Sequence, residues 1–210
     1  VARWRRQCVD ALPAAPVSDP VAADLMAGTG EIWPILLARH PEIQAITAID
    51  ISHQMHLHAL DRLHRDRSDQ IEHIEADFLS NELPSGFADC AISSFGLKTL
   101  NKDQQASFAR ELARILKPGG VFSLIEASDP RGWWLRPLYR FYLDRVLPLI
   151  ERLFLEGAQD FSMLGIYTRK VQDCSHIAAC MKDQGLEVDQ SRYFFGCATG
   201  LVGRKRSDPG

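Results

Sequence analysis

The sequence predicts a single α/β domain whose helices cover both faces of a mostly parallel, doubly wound sheet. Between residues 21 and 127, short apolar segments with strand character alternate with longer helical segments, which is the pattern of parallel strands joined by crossover helices. The chain of 210 residues has the length of one domain and contains no obvious linker, so we assign residues 1–210 to one unit. The last two strand-like segments follow each other directly, which predicts a closing hairpin.

The first half of the chain supplies most of these elements. Residues 3–12 form a predicted helix that the Pro/Ala/Ser-rich stretch 13–20 ends. The predicted strands are 21–27, 44–50, 71–77 and 87–95, and the helices between the first three are 30–40 and 52–65. Residues 102–116 predict an amphipathic helix, because Phe108, Leu112 and Ile115 recur at spacings of four and three. A Pro-Gly-Gly turn then ends the helix before strand 121–127.

The alternation breaks after residue 129. Residues 133–155 predict a helix rich in aromatic and long aliphatic side chains, which Pro137 and Pro148 divide or kink. A helix over 175–184 ends at Gly185, and strands 186–193 and 196–202 form the hairpin.

Composition narrows the class of protein. A net charge of -3 without a long basic run gives no reason to expect a nucleic-acid partner. No apolar run is long enough to cross a bilayer, and no secretion signal is visible. Five cysteines without a C-x-x-C pair fit a reducing cytosol and neither a disulfide scaffold nor a zinc site. We therefore expect a cytoplasmic protein.

A glycine turn and an acidic residue predict a nucleoside site. Gly28 and Gly30 follow the first strand, where a ligand can approach the backbone closely and amides at the helix start can bind its carboxylate. Asp50 ends the second strand, where a carboxylate can accept from ribose hydroxyls. The alternatives are a purely structural turn and an Asp50 that only caps the next helix. The combination favours a ribose-bearing ligand.

NAD and S-adenosylmethionine (SAM) compete as that ligand. The dinucleotide fingerprint G-x-G-x-x-G requires glycine at position 33, where this chain has Trp33. The third glycine allows close packing around a pyrophosphate, which SAM lacks, so the sequence favours SAM. Asp77 would accept from the adenine amine, with Ile51 and Met55 on the ring faces and Ser94 near the methionyl part. The alternative for Asp77 is that it only ends a strand.

Residues 114–128 read R-I-L-K-P-G-G-V-F-S-L-I-E-A-S and resemble the signature of the ubiquinone/menaquinone C-methyltransferases, the UbiE family. Residues 4–6 (W-R-R), 93–97 (S-S-F-G-L) and 142–148 are similar to further family segments. The resemblance implies a Rossmann-like class I methyltransferase with a seven-stranded sheet, one antiparallel strand in the C-terminal hairpin, and a helical cap inserted after strand five. It also implies SAM as cofactor, with S-adenosylhomocysteine (SAH) as product.

By this resemblance Thr29, Asp50, Asp77, Phe78 and Ser94 fall on the family's SAM-contacting positions. With the residues argued from the turn and the adenine pocket, the expected cofactor contacts are Ala27, Gly28, Thr29, Gly30, Asp50, Ile51, Met55, Asp77, Phe78 and Ser94.

Two residues are candidates for the chemistry. The family follows S-F-G-L with Arg-Asn, where this chain has Lys98 and Thr99, and it has lysine where this chain has Asp129. Methylating carbon on a hydroxyarene requires an ionised hydroxyl, which calls for a base or a positive charge nearby. By analogy with the family, Lys98 is the candidate cation, and Asp129 is the candidate base. The alternatives are a solvated Lys98 and an Asp129 that serves the turn before Pro130.

Residues 133–170 are expected to form a helical cap over the substrate pocket, since their apolar residues exceed one core-facing stripe. A dimer contact, core packing and a peripheral membrane contact are the alternatives for this surface. His53, His56, His58 and His64 are interpreted as a solvated helix face, and no metal site is expected.

The sequence therefore predicts a methyltransferase acting on a small, aromatic, quinone-like lipophilic acceptor. The alternatives are O- or N-methylation of another small molecule and a non-catalytic relative that binds SAM.

Overall fold

The computed structural model describes residues 2–66, 68–129, 134–141 and 174–207. The helices in this part of the chain are α1 Ala2–Asp10, α2 Trp33–Arg39, α3 His53–Asp66, α4 Lys102–Ile115, α5 Arg136–Phe141 and α6 Ser175–Asp183. The strands are β1 Val21–Leu25, β2 Ala45–Asp50, β3 Ile71–Glu75, β4 Ala88–Ser94, β5 Leu116–Ala127, β6 Leu186–Tyr193 and β7 Ala198–Lys205. None of the described helices is both long and apolar enough to cross a membrane.

The strands form one seven-stranded sheet in the order β3-β2-β1-β4-β5-β7-β6. Strands β1 to β5 pair in parallel, and β7 runs antiparallel to both of its neighbours. The strand order reverses beside β1, which lies between β2 and β4, so a crevice opens at the carboxyl ends of these strands. The mostly parallel sheet with one antiparallel C-terminal strand confirms the predicted fold.

Two apolar cores lie on opposite faces of the sheet, because successive strand residues point to opposite sides. On one face Phe122 and Leu124 pack with Phe108 and Leu112 of α4 and with Met181 of α6. The other face holds Val9 of α1, Trp33 and Leu36 of α2, and strand residues such as Ile92. The predicted apolar stripe of α4 is confirmed, since Phe108, Leu112 and Ile115 are fully buried.

The predicted starts of helix α2 and strand β5 were wrong. Helix α2 begins at Trp33 and not at residue 30, because Gly30 adopts φ +71 in a turn and Pro34 occupies the first helical turn. Strand β5 begins at Leu116 and not at residue 121, because Leu116 already pairs with Ala88 before the register shifts ahead of the Cys90–Val121 pair.

The predicted cap lies mostly outside the described residues. Only Arg136–Phe141 of the aromatic-rich segment is described as a helix. Pro137 lies in the first turn of this helix, where a missing amide is tolerated. The predicted kink at Pro148 falls outside the described part of the chain.

Gly203 provides a test of how tightly the final hairpin is packed. It lies between Phe122 of β5 and Val188 of β6, and a Cβ there would overlap the Glu187 carbonyl and lie 2.8 Å from Phe122 Cζ. We expect Gly203→Ala to lower the free energy of unfolding by about 1–3 kcal/mol or more. Urea denaturation measures the change, with Asp189→Asn, an exposed change on β6, as the control. A Gly203→Ala protein as stable as the control would contradict the described register.

Candidate active site

A cleft of about 790 Å³ lies at the carboxyl ends of the parallel strands. Of the residues predicted from the sequence, those that line it are Ala27, Gly28, Thr29, Asp50, Ile51, Met55, Asp77, Phe78, Ser94 and Lys98. Gly30 and Asp129 were also predicted, and they are not part of this lining. The fold thus brings together side chains from the ends of four strands, as expected at a topological switch point.

Asp50 connects the second strand to the glycine turn. The Gly28 amide donates to its Oδ2 at 2.8 Å, and the Ser52 amide donates to its Oδ1 at 2.9 Å. A carboxylate oxygen can accept more than one hydrogen bond, so both oxygens keep acceptor capacity toward the cleft. Asp50 therefore binds the chain at the start of α3 and also lines the cleft. The predicted ligand contact and the alternative of a helix cap are thus compatible.

The Gly28 carbonyl contacts a histidine that the sequence analysis did not single out. His73 Nε2 lies 3.2 Å from the Gly28 oxygen, and His73 Nδ1 lies 2.9 Å from His56 Nδ1. Because a carbonyl can only accept, Nε2 of His73 carries the proton, and in neutral His73 the Nδ1 then accepts from His56 Nδ1. Burial lowers the pKa of His73, which favours this neutral state.

This pair corrects the interpretation of the α3 histidines as uniformly solvated. His56 is half-buried and bonded to His73, whereas His53 is exposed and contacts Glu75 at 2.8 Å. His73 shares the inward-facing side of β3 with Ile71, so a polar residue at an apolar position was the available signal. Among the described residues no cluster of three potential metal ligands occurs.

The absence of a side chain at Gly30 leaves room for the ring of Trp33. A Cβ at Gly30 would overlap the Trp33 ring, which covers the turn from the α2 side. The Trp33 indole donates from Nε1 to Asp24 Oδ2 at 2.7 Å. Trp33 therefore connects the glycine turn to a carboxyl group in the core.

Asp24 is the most buried acid near the turn, with 1% of its surface exposed. Burial raises its pKa from 3.8 to about 7, although the Trp33 hydrogen bond opposes this shift. Its Oδ1 is buried and receives no hydrogen bond in the described part of the chain. Burying a carboxylate oxygen without a hydrogen-bond donor lowers the stability of the folded state, and such groups are common at functional sites.

The third strand supplies the next part of the cleft. Asp77 accepts the Leu79 amide on Oδ1 at 2.9 Å and thereby starts the short 3-10 turn Phe78–Ser80. The Phe78 ring is in the core against Phe108, with centroids 5.1 Å apart. Ile51, by contrast, is 69% exposed and leaves an uncovered aliphatic surface on the cleft.

Two cations lie over one aromatic ring at the fourth strand. The guanidinium of Arg5 and the ammonium of Lys98 lie 5.6 and 5.7 Å from the centroid of Phe95, which has a left-handed φ of 66. Arg5 also pairs with Glu31, and both residues line the cleft. Neither Arg5 nor Glu31 was predicted as a site residue, because the contact joins α1 to a distant turn.

Glu126 holds the turn that carries Lys98. It accepts the Lys98 amide at 2.9 Å on Oε2 and the Ala127 amide at 2.7 Å on Oε1, and it is completely buried. Burial raises the pKa of Glu126 from 4.5 to about 7, while the Lys98 charge lowers it. Asp129, the candidate base, is 5% exposed and follows β5 outside the lining of the cleft.

Comparisons with known proteins identify the family of this chain. The model of the ubiE/COQ5 methyltransferase family matches residues 2–205. The demethylmenaquinone methyltransferase of Lactiplantibacillus plantarum is 29% identical over 209 residues, which cover 97% of this chain and 85% of that protein. The ubiquinone/menaquinone biosynthesis C-methyltransferase UbiE of Rubrivivax gelatinosus is 30% identical over 205 residues, which cover 96% of this chain and 76% of that protein.

A solved structure supports the fold. The SAM-dependent methyltransferase of Aquifex aeolicus aligns with a TM-score of 0.62 at 16% identity, over 88% of this chain and 81% of that one. The chain belongs to the ubiE/COQ5 methyltransferase family and is a SAM-dependent methyltransferase, as its sequence predicts.

Proposed function

We propose that the cleft binds SAM with its ribose on Asp50 and transfers the methyl group to a small, aromatic, quinone-like lipophilic acceptor. The observation that carries this proposal is the Asp50 carboxylate, which is fixed by the Gly28 and Ser52 amides and keeps free lone pairs beside the glycine turn. The names of the two relatives, a demethylmenaquinone and a ubiquinone/menaquinone methyltransferase, support the acceptor class.

The described residues fit the nucleoside. Two vicinal ribose hydroxyls match the two oxygens of Asp50, each of which already has only one backbone donor. The exposed aliphatic surface of Ile51 and the thioether of Met55 suit the faces of an adenine. Asp77 has one oxygen engaged by Leu79, so its other oxygen is available to the adenine amine.

The methionyl tail of SAM is a zwitterion, and the β1 end of the cleft has charge to match it. Asp24 is buried outside the described lining of the cleft and has an oxygen without a partner among the described residues, and Glu31 lines the cleft. We propose that the Asp24 carboxylate stabilises the ammonium group of the tail. Ala27, Gly28, Thr29 and Ser94 would contact the tail through the turn and the end of β4. Gly30 was predicted as a cofactor contact but does not line the described cleft, and its role in this proposal is to make room for the Trp33 ring.

Bound SAM supplies a methyl group on a sulfonium, and the chain supplies position and charge. Lys98 is held by Glu126 and projects over Phe95, where its ammonium would stabilise an ionised hydroxyl on the acceptor. The neighbouring ring carbon then forms the new bond to the methyl carbon, the bond to sulfur breaks, and the ring carbon loses its proton. Asp129 remains the candidate base, although it lies outside the described lining of the cleft.

Exposed apolar residues support a lipophilic acceptor. Trp134, Leu138 and Phe141 follow β5 and are 82%, 62% and 57% exposed. Such exposed apolar side chains suit a lipophilic tail of the substrate, and a peripheral membrane contact or a homodimer would use the same residues. A cytoplasmic or membrane-peripheral location belongs to this same proposal.

O-methylation is the second candidate reaction. A phenolate held by Lys98 is itself a nucleophile. Thr99 cannot supply the donor of the family's asparagine amide, because its one hydroxyl hydrogen is donated to the Gly96 carbonyl at 2.8 Å. The position of the new methyl group distinguishes the two reactions.

The role of Asp50 predicts a loss of cofactor affinity on removing its charge. Asp50→Asn keeps one acceptor oxygen and is expected to weaken SAH binding roughly 10- to 100-fold, since hydrogen bonds to a charged group are lost. Isothermal titration calorimetry measures the affinity, with Asp66→Asn at the exposed end of α3 as the matched control. Equal affinity of Asp50→Asn and the control for SAH would contradict the proposed ribose site.

The role of Lys98 predicts a loss of turnover with cofactor binding intact. With labelled SAM and a short-chain demethylmenaquinol, Lys98→Met is expected to lower kcat roughly 100- to 1000-fold, because the acceptor oxyanion loses its counter-charge. Lys98→Arg should recover part of the rate, and Lys102→Met in the first turn of α4 is the control. NMR of the product locates the methyl group on carbon or oxygen. Undiminished turnover of Lys98→Met would exclude the proposed role.

The buried charge of Asp24 predicts opposite effects on stability and binding. Its pKa is raised from 3.8 to about 7 in the folded state, so its contribution to stability is present below about pH 4 and is lost as the pH rises through about 7. Asp24 should therefore make the free energy of unfolding of the wild type fall by at most about 1.4 kcal/mol per pH unit between pH 5 and 7. Asp24→Asn should abolish this fall. The same variant should bind SAH more weakly at pH 8.

Urea denaturation at several pH values and calorimetry measure these two quantities. Glu126 shifts in the same direction and stays in both proteins, so only the difference between wild type and Asp24→Asn is informative. A variant that is less stable than wild type at pH 8, or that binds SAH equally well there, would show that Asp24 has another role.

A further inference from the structure

Arg5 places a positive charge in the cleft, and the proposed function gives this charge no role. It comes from α1, at the N-terminal end of the described chain, and its side chain is 18% exposed. The guanidinium pairs with Glu31 just after the glycine turn and lies over the Phe95 ring. Its Nε is buried and has no hydrogen-bond acceptor among the described residues.

The two cations that line the described cleft belong to different ends of it. Arg5 pairs with Glu31 just after the glycine turn, and its charge opposes the burial that raises the pKa of Asp24 in β1. The Lys98 amide is bound by Glu126 at the end of β5, and the Lys98 charge opposes the burial that raises the pKa of Glu126. Phe95, from the end of β4, lies between the residues on which these two charges act. Arg5 is therefore the cation on the side of the glycine turn.

The start of α2 does not provide a substitute for this charge. The sequence suggested that amides at a helix start near Gly30 would bind the carboxylate of the ligand. Helix α2 instead begins at Trp33 and has seven residues, and the Trp33 ring covers the turn. Arg5 can therefore serve as the side-chain partner of a carboxylate at the turn, because an arginine offers a planar fork of donors that matches it.

We infer that Arg5 binds the α-carboxylate of the methionyl tail of SAM and makes the cleft selective for nucleosides that carry an intact amino-acid tail. Glu31 is the positioning residue, because its carboxylate holds the guanidinium while other N–H groups remain for the ligand. The inference rests on the proposed SAM site and adds the residue that recognises the acidic end of the tail.

Two ligands separate this inference from the proposed function. SAH and 5′-methylthioadenosine share the nucleoside and the thioether, but methylthioadenosine lacks the carboxylate and the ammonium group. Calorimetric affinities of both ligands are compared for wild type, Arg5→Met, Arg5→Lys and Arg6→Met. Arg6 is the matched control, since it is the neighbouring, exposed arginine of the same helix.

Arg5→Met is expected to weaken SAH roughly 10- to 100-fold and methylthioadenosine less than about threefold, so the ratio of the two affinities collapses. Arg5→Lys should restore part of that ratio, because it keeps the charge and loses the fork. Arg6→Met should leave both affinities unchanged.

Three results would overturn the inference. Unchanged SAH affinity in Arg5→Met shows that Arg5 does not bind the tail. An equal loss for both ligands shows that Arg5 only supports the fold. If the wild type binds neither ligand, the proposed SAM site itself fails. If the wild type binds both ligands and Arg5→Met leaves the ratio of their affinities unchanged, only the inference about Arg5 fails.

Discussion

The contact between the Asp50 carboxylate and the Gly28 amide, 2.8 Å long, is the constraint on which the site depends. It joins the end of β2 to the turn after β1, and the second oxygen of Asp50 fixes Ser52 at the start of α3. The carbonyl of the same glycine is bonded to His73 of β3. Two neighbouring strands thus fix both polar groups of one residue before a ligand arrives, and a preorganised backbone reduces the ordering that binding would otherwise require.

The site contains groups that oppose stability. Asp24 and Glu126 are both completely buried acids whose pKa values are raised to about 7. Ionising either one near neutral pH destabilises the folded state, and Phe95 and Met26 add backbone strain with φ values of 66 and 56. These features lie at the ends of β1, β4 and β5 around one cleft, whereas the two apolar cores on the sheet faces contain well-packed aliphatic and aromatic residues. Buried acids and backbone strain that cluster around one cleft are typical of a functional site.

Local sequence patterns predicted the elements and the first carboxylates, because these depend on periodicity and on turn residues. The stripe of α4 and the position of Asp50 at the end of β2 are examples. The sequence did not predict contacts between residues far apart in the chain. His73 reaches Gly28 over 45 positions, and Arg5 reaches Glu31 and Phe95 from α1. The start of α2 was wrong for a local reason, because Gly30 adopts φ +71 in a turn and Pro34 lies in the first turn of the helix.

The central claim is that Asp50 and the turn at Gly28 hold the nucleoside and tail of SAM. A crystal structure of the protein with SAH tests it most directly. We expect both ribose hydroxyl oxygens within ~3 Å of the Asp50 carboxylate, with the amino-acid tail along the Gly28 turn. An SAH molecule bound elsewhere, or an Asp50 that contacts only the Gly28 and Ser52 amides while the ribose lies on other groups, would contradict it.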